Sequence, residues 1–393
     1  MPQTKSLNGS DIAFIYTGIG RGHPYYLDGI IEQIDKLYPY ISYYQTDAFS
    51  LSKGLSLITW QIVKYLYRFG AKGGIVTRFY SMLRQKSVAG GIQAGMLGLD
   101  IKKFFSGYPK PVVVAHPILA AILSKQNRVI YQHGEPAAPV ESFIPGCYRI
   151  LVPVKETALA FENAGISSDC LEITGQCIEN NLVYSVKAAY KKRIKRIKST
   201  RHLTVALFSS GAYPPVHIQK LLLAGKSLFT EGHSVTLFMG TSEKAFDTAC
   251  YFYKKNDLPV SHTIDDTAAI TIIHTDNRLE ENRLVASIFE KLDFCIAPSH
   301  ERTNWAVGLG LPLFILCPHI GSYAPLNAAI ALKKGVALEI PDNKSAAGIA
   351  GTIDTLRKNG ELIAMAARGY NHTAINGFSN AVEIVYGMVR NFG

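Results

Sequence analysis

The sequence predicts an α/β protein with two Rossmann-like halves, and three observations lead to this prediction. Apolar strands alternate with helical patterns along both halves, which indicates parallel sheets covered on both faces. Each half opens with a strand that ends in a turn of small residues, near residues 17–22 and 209–212. At 393 residues the chain also exceeds the size of one ordinary core, which favours two domains.

Twelve short apolar runs bounded by turn residues are predicted to be strands. In the first half they are Ile12–Tyr16, Ile41–Tyr44, Val112–Ala115, Arg128–Gln132, Arg149–Pro153 and Leu171–Thr174. In the second half they are Leu203–Ser209, Ser234–Met239, Ile270–His274, Phe294–Ala297, Leu313–Cys317 and Val336–Leu338. Residues 380–392 show an amphipathic pattern that predicts a C-terminal helix.

These elements predict an N-terminal domain (1–183), a basic linker (184–202), a C-terminal domain (203–375) and a terminal helix (376–393). We expect that helix to pack back toward the N-terminal domain. Residues 187–201 carry eight basic residues and no acid. This favours a solvated linker or a short exposed helix over a nucleic-acid patch, because no aromatic stacking platform accompanies it. We therefore expect no nucleic-acid partner.

The cysteine spacing and the hydropathy of the chain indicate where in the cell the protein is expected to reside. The six cysteines lie far apart and show no zinc-type spacing, so we expect reduced thiols. The N-terminus lacks the apolar core of a signal peptide, and the longest apolar stretch, residues 112–123, is too short to span a bilayer. We expect a cytoplasmic protein, either soluble or peripheral at the inner face of the cell membrane.

The turn after the first strand has glycines at Gly18, Gly20 and Gly22, followed at once by His23. The glycines allow a tight turn and the close approach of a ligand. The N–H groups of the first helical turn attract anions, and His23 can take up a proton near neutral pH. The spacing differs from the Gly-x-Gly-x-x-Gly dinucleotide fingerprint, so a glycine-rich turn with an incidental histidine is the alternative.

The net charge of +11 is local, because residues 51–110 contain ten basic residues and one acid. Within this segment Leu55, Ile58, Ile62, Leu66 and Phe69 fall at helical spacing. One interpretation is a helix packed on the sheet with a solvated basic rim. The other is a surface that docks on anionic lipid. For that surface we predict membrane contacts by Trp60, Lys64, Arg68, Arg78 and Arg84.

The second half holds the most specific order of motifs. A strand ends in a loop, a helix starts near Arg302–Asn304, and Gly310-Leu311-Pro312 turns into another strand. Leu326-Asn327-Ala328-Ala329 then opens a helix. This order resembles the donor-binding half of the inverting GT-B glycosyltransferases of family 28. That group includes the peptidoglycan lipid-intermediate GlcNAc transferase and monogalactosyldiacylglycerol synthase. Its N-terminal glycine-rich loop with a histidine is similar to Gly18–His23.

The resemblance implies two Rossmann-like domains that face each other across a cleft, with the acceptor on the N-terminal one. It also implies transfer of a sugar from a nucleotide sugar, expected to be a UDP-sugar, to a lipid-linked or membrane-associated acceptor. No metal or other cofactor is expected. His23 is the catalytic base in this interpretation, and the acceptor-side residues are Gly20, Gly22, His116, His133 and Glu135. For His116 and His133 a loop histidine, and for Glu135 a turn cap, are the alternatives.

The donor-binding residues implied by the resemblance belong to the second half. They are Ser209, Ser210, Gly211, Ala212, Gly240, His274, Arg278, Leu279, Glu301, Thr303, Asn304 and Asn327. The chain departs from the group's pattern at Trp305, where members place a ribose-binding glutamate, and at residues 322–325, where members place a sugar-binding glutamine. A non-hydrolysing UDP-sugar 2-epimerase and a catalytically degenerate nucleotide-sugar-binding protein are therefore the alternative functions.

Overall fold

The computed structural model describes residues 6–19, 22–70, 92–199, 202–264, 268–370 and 374–392. These residues form two compact units. Unit 1 holds the described residues up to Asn180 and those from Ala374 onward, and unit 2 holds those from Asn181 to Tyr370.

Unit 1 contains a six-stranded sheet with helices between the strands. Its strands are β1 (Ile12–Tyr16), β2 (Tyr43–Asp47), β3 (Val112–Val114), β4 (Val129–Gln132), β5 (Arg149–Val152) and β6 (Leu171–Ile173). Its helices are α1 (Gly22–Leu37), α2 (Ala48–Leu51), α3 (Gly54–Gly70), α4 (Ile92–Leu97), α5 (Leu99–Phe104), α6 (Pro117–Leu123), α7 (Lys155–Asn163) and, at the C-terminus, α17 (Gly377–Phe392). The strand order is β2-β1-β3-β4-β5-β6, and every pairing is parallel.

The inner strands of unit 1, which are β1, β3, β4 and β5, are buried on both faces, and this explains their nearly continuous apolar sequences. Along β1, Ile12 and Phe14 pack in one apolar cluster, whereas Ala13 and Ile15 pack in another. Alternate side chains of a strand point to opposite faces, so these clusters cover the two sides of the sheet. The first includes residues of α1 and α17, and the aromatic ring of Phe378 lies directly over Gly29 of α1.

Unit 2 contains a seven-stranded parallel sheet. Its strands are β7 (Thr204–Phe208), β8 (Ser234–Phe238), β9 (Val260–Ser261), β10 (Ile270–Ile273), β11 (Phe294–Ala297), β12 (Leu313–Leu316) and β13 (Ala337–Ile340). Its helices are α8 (Asn180–Ser199), which starts at the last residue of unit 1, then α9 (Pro215–Thr230), α10 (Glu243–Lys255), α11 (Arg278–Ile288), α12 (Thr303–Gly308), α13 (Ala324–Lys333), α14 (Asn343–Ala347), α15 (Ile349–Lys358) and α16 (Glu361–Tyr370). The strand order is β13-β12-β11-β7-β8-β10-β9. The two-residue strand β9 was not predicted, because it is too short to show a pattern.

The basic segment expected to be a linker or a short exposed helix lies mostly within α8, which is 20 residues long. Its Arg193 is fully buried in unit 2. The Arg193 guanidinium donates hydrogen bonds to the carbonyl oxygens of Leu292 (2.9 Å), Leu309 (3.1 Å) and Gly310 (2.9 Å). Burial lowers the pKa of Arg193 to about 10, so the side chain is still charged at neutral pH. The expectation of a fully solvated segment was therefore wrong at this residue.

Candidate functional site

The sheet of unit 1 has a topological switch point between β1 and β3, where successive connections run in opposite directions. Open α/β sheets bind ligands at the carboxyl ends of the strands that flank such a point. His23 lies in the first turn of α1, which follows β1, and His116, two residues after the end of β3, caps α6. The two imidazole ring centroids are 4.4 Å apart. The structure thus brings the predicted catalytic base together with one of the predicted acceptor-side residues.

The hydrogen bond of His23 fixes which of its nitrogens carries the proton. His23 Nδ1 lies 2.8 Å from the carbonyl oxygen of Ala115. A carbonyl oxygen can only accept, so Nδ1 must donate, and the lone pair of the neutral ring is on Nε2. A general base requires this form of the ring, in which Nε2 can accept a proton while the Ala115 carbonyl oxygen orients Nδ1–H.

His116 has the opposite arrangement. Its Nδ1 accepts a hydrogen bond of 3.2 Å from the backbone N–H of Ile118, as the N-cap of α6. The neutral ring of His116 therefore carries its proton on Nε2. In their neutral forms, His23 has an accepting Nε2 and His116 has a donating Nε2. This combination is suitable for orienting a hydroxyl group, which both accepts and donates hydrogen bonds.

His133 packs within unit 1, which corrects its assignment to the acceptor side. Its Nε2 donates to the carbonyl oxygen of Ala137 at 3.0 Å, and its Nδ1 lies 3.4 Å from the Tyr131 hydroxyl. Burial lowers the pKa of His133 to about 4. The ring is neutral and both nitrogens already have partners, so it is not available to a substrate. Glu135, in the same loop, is also buried and its role stays a prediction.

The opening loop is held against β2 and α3. A Cβ atom on Gly18 would lie 3.7 Å from the ammonium nitrogen of Lys64 and 3.9 Å from a carboxylate oxygen of Asp47. Lys64 also lies over the Phe49 ring, 4.9 Å from its centroid. Lys64 therefore lies beside the glycine-rich loop. Gly20 is outside the described residues, and Gly22 is the first residue of α1.

The membrane-contact prediction is corrected at Trp60. This side chain is fully buried, and its indole N–H donates to the Leu97 carbonyl oxygen at 3.1 Å. The side chain of Arg68 and all of Arg78 and Arg84 lie outside the described residues. Among the described helices, none is long and apolar enough to cross a membrane.

Instead, α3 exposes a continuous apolar stripe. Its members recur every three or four residues and are 39–66% exposed: Leu55, Ile58, Ile62, Tyr65, Leu66 and Phe69. The opposite side of α3 is buried through Ser56 and Trp60. The interpretation in which this apolar pattern packs on the sheet was therefore wrong. Contiguous exposed apolar surface of this kind marks an interaction site.

In unit 2 the switch point lies between β7 and β11. The turn Ser209–Ala212 follows β7, and the Ser209 hydroxyl is a buried group without a hydrogen-bond partner among the described residues. A buried hydroxyl of this kind calls for a partner that the protein does not supply. This supports the turn as a ligand-binding segment.

The helix starts in unit 2 contribute less than expected to an anion site. Pro214 is the N-cap of α9 and Pro215 its first residue, so neither nitrogen carries a hydrogen. The N–H groups of His217 and Ile218 donate to the Pro214 carbonyl oxygen. At α12, the N–H of Thr303 donates to the carbonyl oxygen of His300. A phosphate would have to compete with these bonds, so the prediction for the Arg302–Asn304 helix start is corrected.

Three predicted donor residues are inaccessible. Thr303, Asn304 and Asn327 are each 0% exposed, and all six residues of α12 are buried. The Asn327 side chain donates to the Ser299 carbonyl oxygen at 3.2 Å, which ties α13 to the loop after β11. All three side chains are buried, and their assignment as donor-binding residues stays a prediction.

A buried ion pair at the same switch point was not predicted from the sequence. The Arg302 guanidinium lies over the rings of Phe208 (4.5 Å) and Trp305 (4.2 Å), and its Nη2 is 3.2 Å from a carboxylate oxygen of Glu281. Glu301 lies beside it at 3.8 Å. Trp305 therefore anchors the loop after β11 by stacking. The charge pattern along the sequence could not show this, because Glu281 lies on α11 and Arg302 lies 21 residues later, just before α12.

The loop after β10 keeps an accessible surface. His274 is half-buried, Arg278 is half-buried and Leu279 is 48% exposed at the start of α11. Asn277 caps this helix by accepting from the N–H of Glu280 at 3.0 Å. The exposed Leu279 side chain and the half-buried His274 imidazole each offer a surface on which a planar base can stack.

Position 240, after β8, requires a glycine because of its backbone conformation and the nearby Tyr213 side chain. It has a positive φ of 55°, and a Cβ atom there would lie 2.5 Å from the Tyr213 hydroxyl. That hydroxyl accepts a hydrogen bond of 3.0 Å from the N–H of Thr241. Tyr213 thus connects the turn after β7 to the loop after β8. Gly240 acts by leaving room for this connection.

The chain matches no protein-family model and none of the curated proteins. Solved structures with a similar fold extend over nearly its whole length. UDP-GlcNAc 2-epimerase from Neisseria meningitidis bound to UDP-GlcNAc is 12% identical, with 97% of this chain and 99% of that chain covered and a TM-score of 0.55. The UDP complex of Staphylococcus aureus MnaA is 12% identical, with 95% and 94% covered and a TM-score of 0.54.

The wall teichoic acid polymerase TagF is also similar, at 10% identity, with 99% of this chain and 91% of that chain covered and a TM-score of 0.51. These structures confirm the predicted α/β fold of the GT-B type. At such low identity they establish the fold alone.

Proposed function

We propose that this protein is an inverting glycosyltransferase that moves a sugar from a nucleotide sugar, expected to be a UDP-sugar, to a lipid-linked or membrane-associated acceptor. The GT-B-type fold and the resemblance to the family 28 group support this proposal. The main observation is the geometry of His23, whose Nδ1–H donates to the Ala115 carbonyl oxygen and leaves Nε2 as the proton acceptor.

In the proposed reaction, His23 Nε2 removes the proton of the acceptor hydroxyl while the hydroxyl oxygen attacks the anomeric carbon. The bond from that carbon to the diphosphate oxygen breaks, and the configuration inverts. His116, with its Nε2–H, orients the hydroxyl. A base in this position typically contributes about 10²–10⁴-fold to the rate.

In unit 2, the turn Ser209–Ala212 holds the diphosphate, with the buried Ser209 hydroxyl as one donor. The surface formed by His274, Arg278 and Leu279 binds the nucleotide base. We propose that the leaving diphosphate is stabilised by these donors and not by a metal ion.

The acceptor is proposed to be membrane-associated because of the exposed stripe of α3. Six apolar or aromatic side chains on one face of a helix suit insertion at the headgroup level. Ten basic residues between positions 51 and 110 add attraction to an anionic surface, about 1 kcal/mol for each Lys or Arg near it.

Co-sedimentation with anionic phospholipid vesicles tests this surface. We expect Ile62→Glu to reduce vesicle binding strongly, since it places a charge in the middle of the stripe. Leu159→Glu is the matched control, because Leu159 is 44% exposed on α7 of the same unit. Equal vesicle binding by wild type and Ile62→Glu would rule out this docking surface.

A donor screen followed by a transfer assay tests the proposed activity. Thermal-shift measurements with UDP, GDP, dTDP, CDP and ADP sugars identify the donor, and we expect UDP-sugars to stabilise the protein. The stabilising sugar, labelled, is then incubated with a bacterial lipid extract, and the anomeric configuration of the product is determined. Retention of the donor's configuration would contradict the proposal.

The same incubation separates the alternatives. A UDP-sugar 2-epimerase would convert the sugar nucleotide without any lipid, which is the activity of the Neisseria meningitidis protein as its name states. A degenerate binding protein would be stabilised by the nucleotide sugar and would turn over nothing.

A further inference from the structure

Three side chains with metal-binding atoms converge at one edge of the unit 2 sheet. Cys317 directly follows β12, His319 comes two residues later, and Glu339 lies on the adjacent strand β13. The thiol, an imidazole nitrogen and a carboxylate oxygen all lie within 4.8 Å of one another. The sheet register explains the meeting, because Ile315 of β12 pairs with Glu339 of β13.

The spacing of these three atoms can be compared with the spacing of ligand atoms in a zinc site. In a tetrahedral zinc site with bonds of about 2.0–2.3 Å, neighbouring ligand atoms lie roughly 3.3–3.6 Å apart. Here His319 Nε2 and Glu339 Oε1 are 2.7 Å apart, so a metal ion requires them to separate by roughly 0.6–0.9 Å.

Two side chains of α9 hold the backbone of the loop that carries Cys317 and His319. The Lys220 ammonium donates to the carbonyl oxygens of Cys317 and Pro341, the latter at 2.8 Å. His217 Nε2 donates to the carbonyl oxygen of Pro318 at 2.9 Å. Two buried side chains thus hold the loop between the thiol and the imidazole, as the second shell of a metal site does.

The chemistry of the three groups is selective. A thiolate, an imidazole and a carboxylate form a mixed sulfur, nitrogen and oxygen set that suits Zn²⁺ and does not suit Mg²⁺ or Ca²⁺. When the thiol releases its proton to solvent, thiolate and carboxylate together balance the two charges of the ion. Glu339 and His319 are partly exposed, which leaves an entry path and a fourth position for water.

We propose that Cys317, His319 and Glu339 form a Zn²⁺ site with three protein ligands that ties the loop after β12 to β13. The site is separate from the proposed transfer chemistry, which requires no metal. The loop it fixes continues into residues 320–323 and the start of α13.

Titration of the full-length, metal-free protein with Co²⁺ tests the site. Co²⁺ replaces Zn²⁺ in such sites and reports a bound thiolate by a charge-transfer absorption band. We expect one equivalent of Co²⁺ to produce this band and added Zn²⁺ to abolish it. Absence of the band at one equivalent, or its persistence with excess Zn²⁺, would overturn the proposal.

Variants assign the ligands. We expect Cys317→Ser to remove the band, and His319→Gln and Glu339→Gln to weaken Co²⁺ binding by roughly 100-fold or more, since even second-shell losses cost 10–100-fold. Cys250→Ser is the matched control, because Cys250 is another partly buried free thiol of unit 2. Circular dichroism confirms folding of each variant. A band that survives in Cys317→Ser and disappears in Cys250→Ser would refute the assignment.

Discussion

Replacement of Arg193 by methionine tests the core of unit 2. Methionine keeps a similar length and removes the three hydrogen bonds to the carbonyl oxygens of Leu292, Leu309 and Gly310. A hydrogen bond from a charged group contributes about 1.5–3 kcal/mol. The loss of three such bonds is partly offset, because methionine does not carry the desolvation cost of a buried cation. We therefore expect a net loss of about 3–5 kcal/mol in the free energy of unfolding.

Urea unfolding followed by tryptophan fluorescence measures this loss. The chain has two tryptophans, Trp60 in unit 1 and Trp305 in unit 2, so a Trp60→Phe background reports on unit 2 alone. With an m-value of about 2 kcal/mol/M, the midpoint should fall by about 1.5–2.5 M urea. Lys191→Met, on the exposed face of α8, should change stability by less than about 0.5 kcal/mol. A loss below about 1 kcal/mol for Arg193→Met would refute the reasoning.

Two further predictions concern unit 1, with Trp60 fluorescence as the measurement. Gly29→Ala should destabilise the unit by about 1–3 kcal/mol, because the new Cβ would lie 2.4 Å from the Phe378 ring. Gly387→Ala is the control, because Gly387 lies in the same helix as Phe378 and has open space around it. This substitution should stabilise unit 1 by up to about 1 kcal/mol. Equal stability changes for Gly29→Ala and Gly387→Ala would contradict the packing of Phe378 on Gly29. The pKa of His133 is about 4, below its ordinary value of 6.5, so the unfolded chain takes up the proton first as the pH falls. Neutral His133 therefore contributes about 3 kcal/mol to the free energy of unfolding above pH 6.5, and this contribution is lost as the pH falls toward 4. His133→Gln should remove this part of the pH dependence of stability.

The inner strands could be predicted because they are buried on both faces, so their apolar runs are nearly continuous. Phe294–Ala297, for example, lies at its predicted boundaries. The helix at α8 was misassigned because the burial of Arg193 depends on carbonyl groups about a hundred residues away in sequence. The orientation of α3 was likewise set by tertiary contacts that bury Trp60 and leave Ile62 exposed.

The candidate site was predicted in part. The pairing of His23 with the segment around His116 follows from adjacent parallel strands and could be expected from their order. The Arg302–Glu281 pair and the group of Cys317, His319 and Glu339 could not, since each combines residues that only sheet register and loop packing bring together.

The central claim is that His23 Nε2 is the base for sugar transfer. The most direct test compares His23→Gln with wild type in two measurements on the same preparation: the dissociation constant of the nucleotide sugar and the single-turnover rate of transfer. For His23→Gln we expect an unchanged dissociation constant and a transfer rate lower by about 10²–10⁴-fold. A wild-type rate in His23→Gln, with the nucleotide sugar bound equally well, would contradict it.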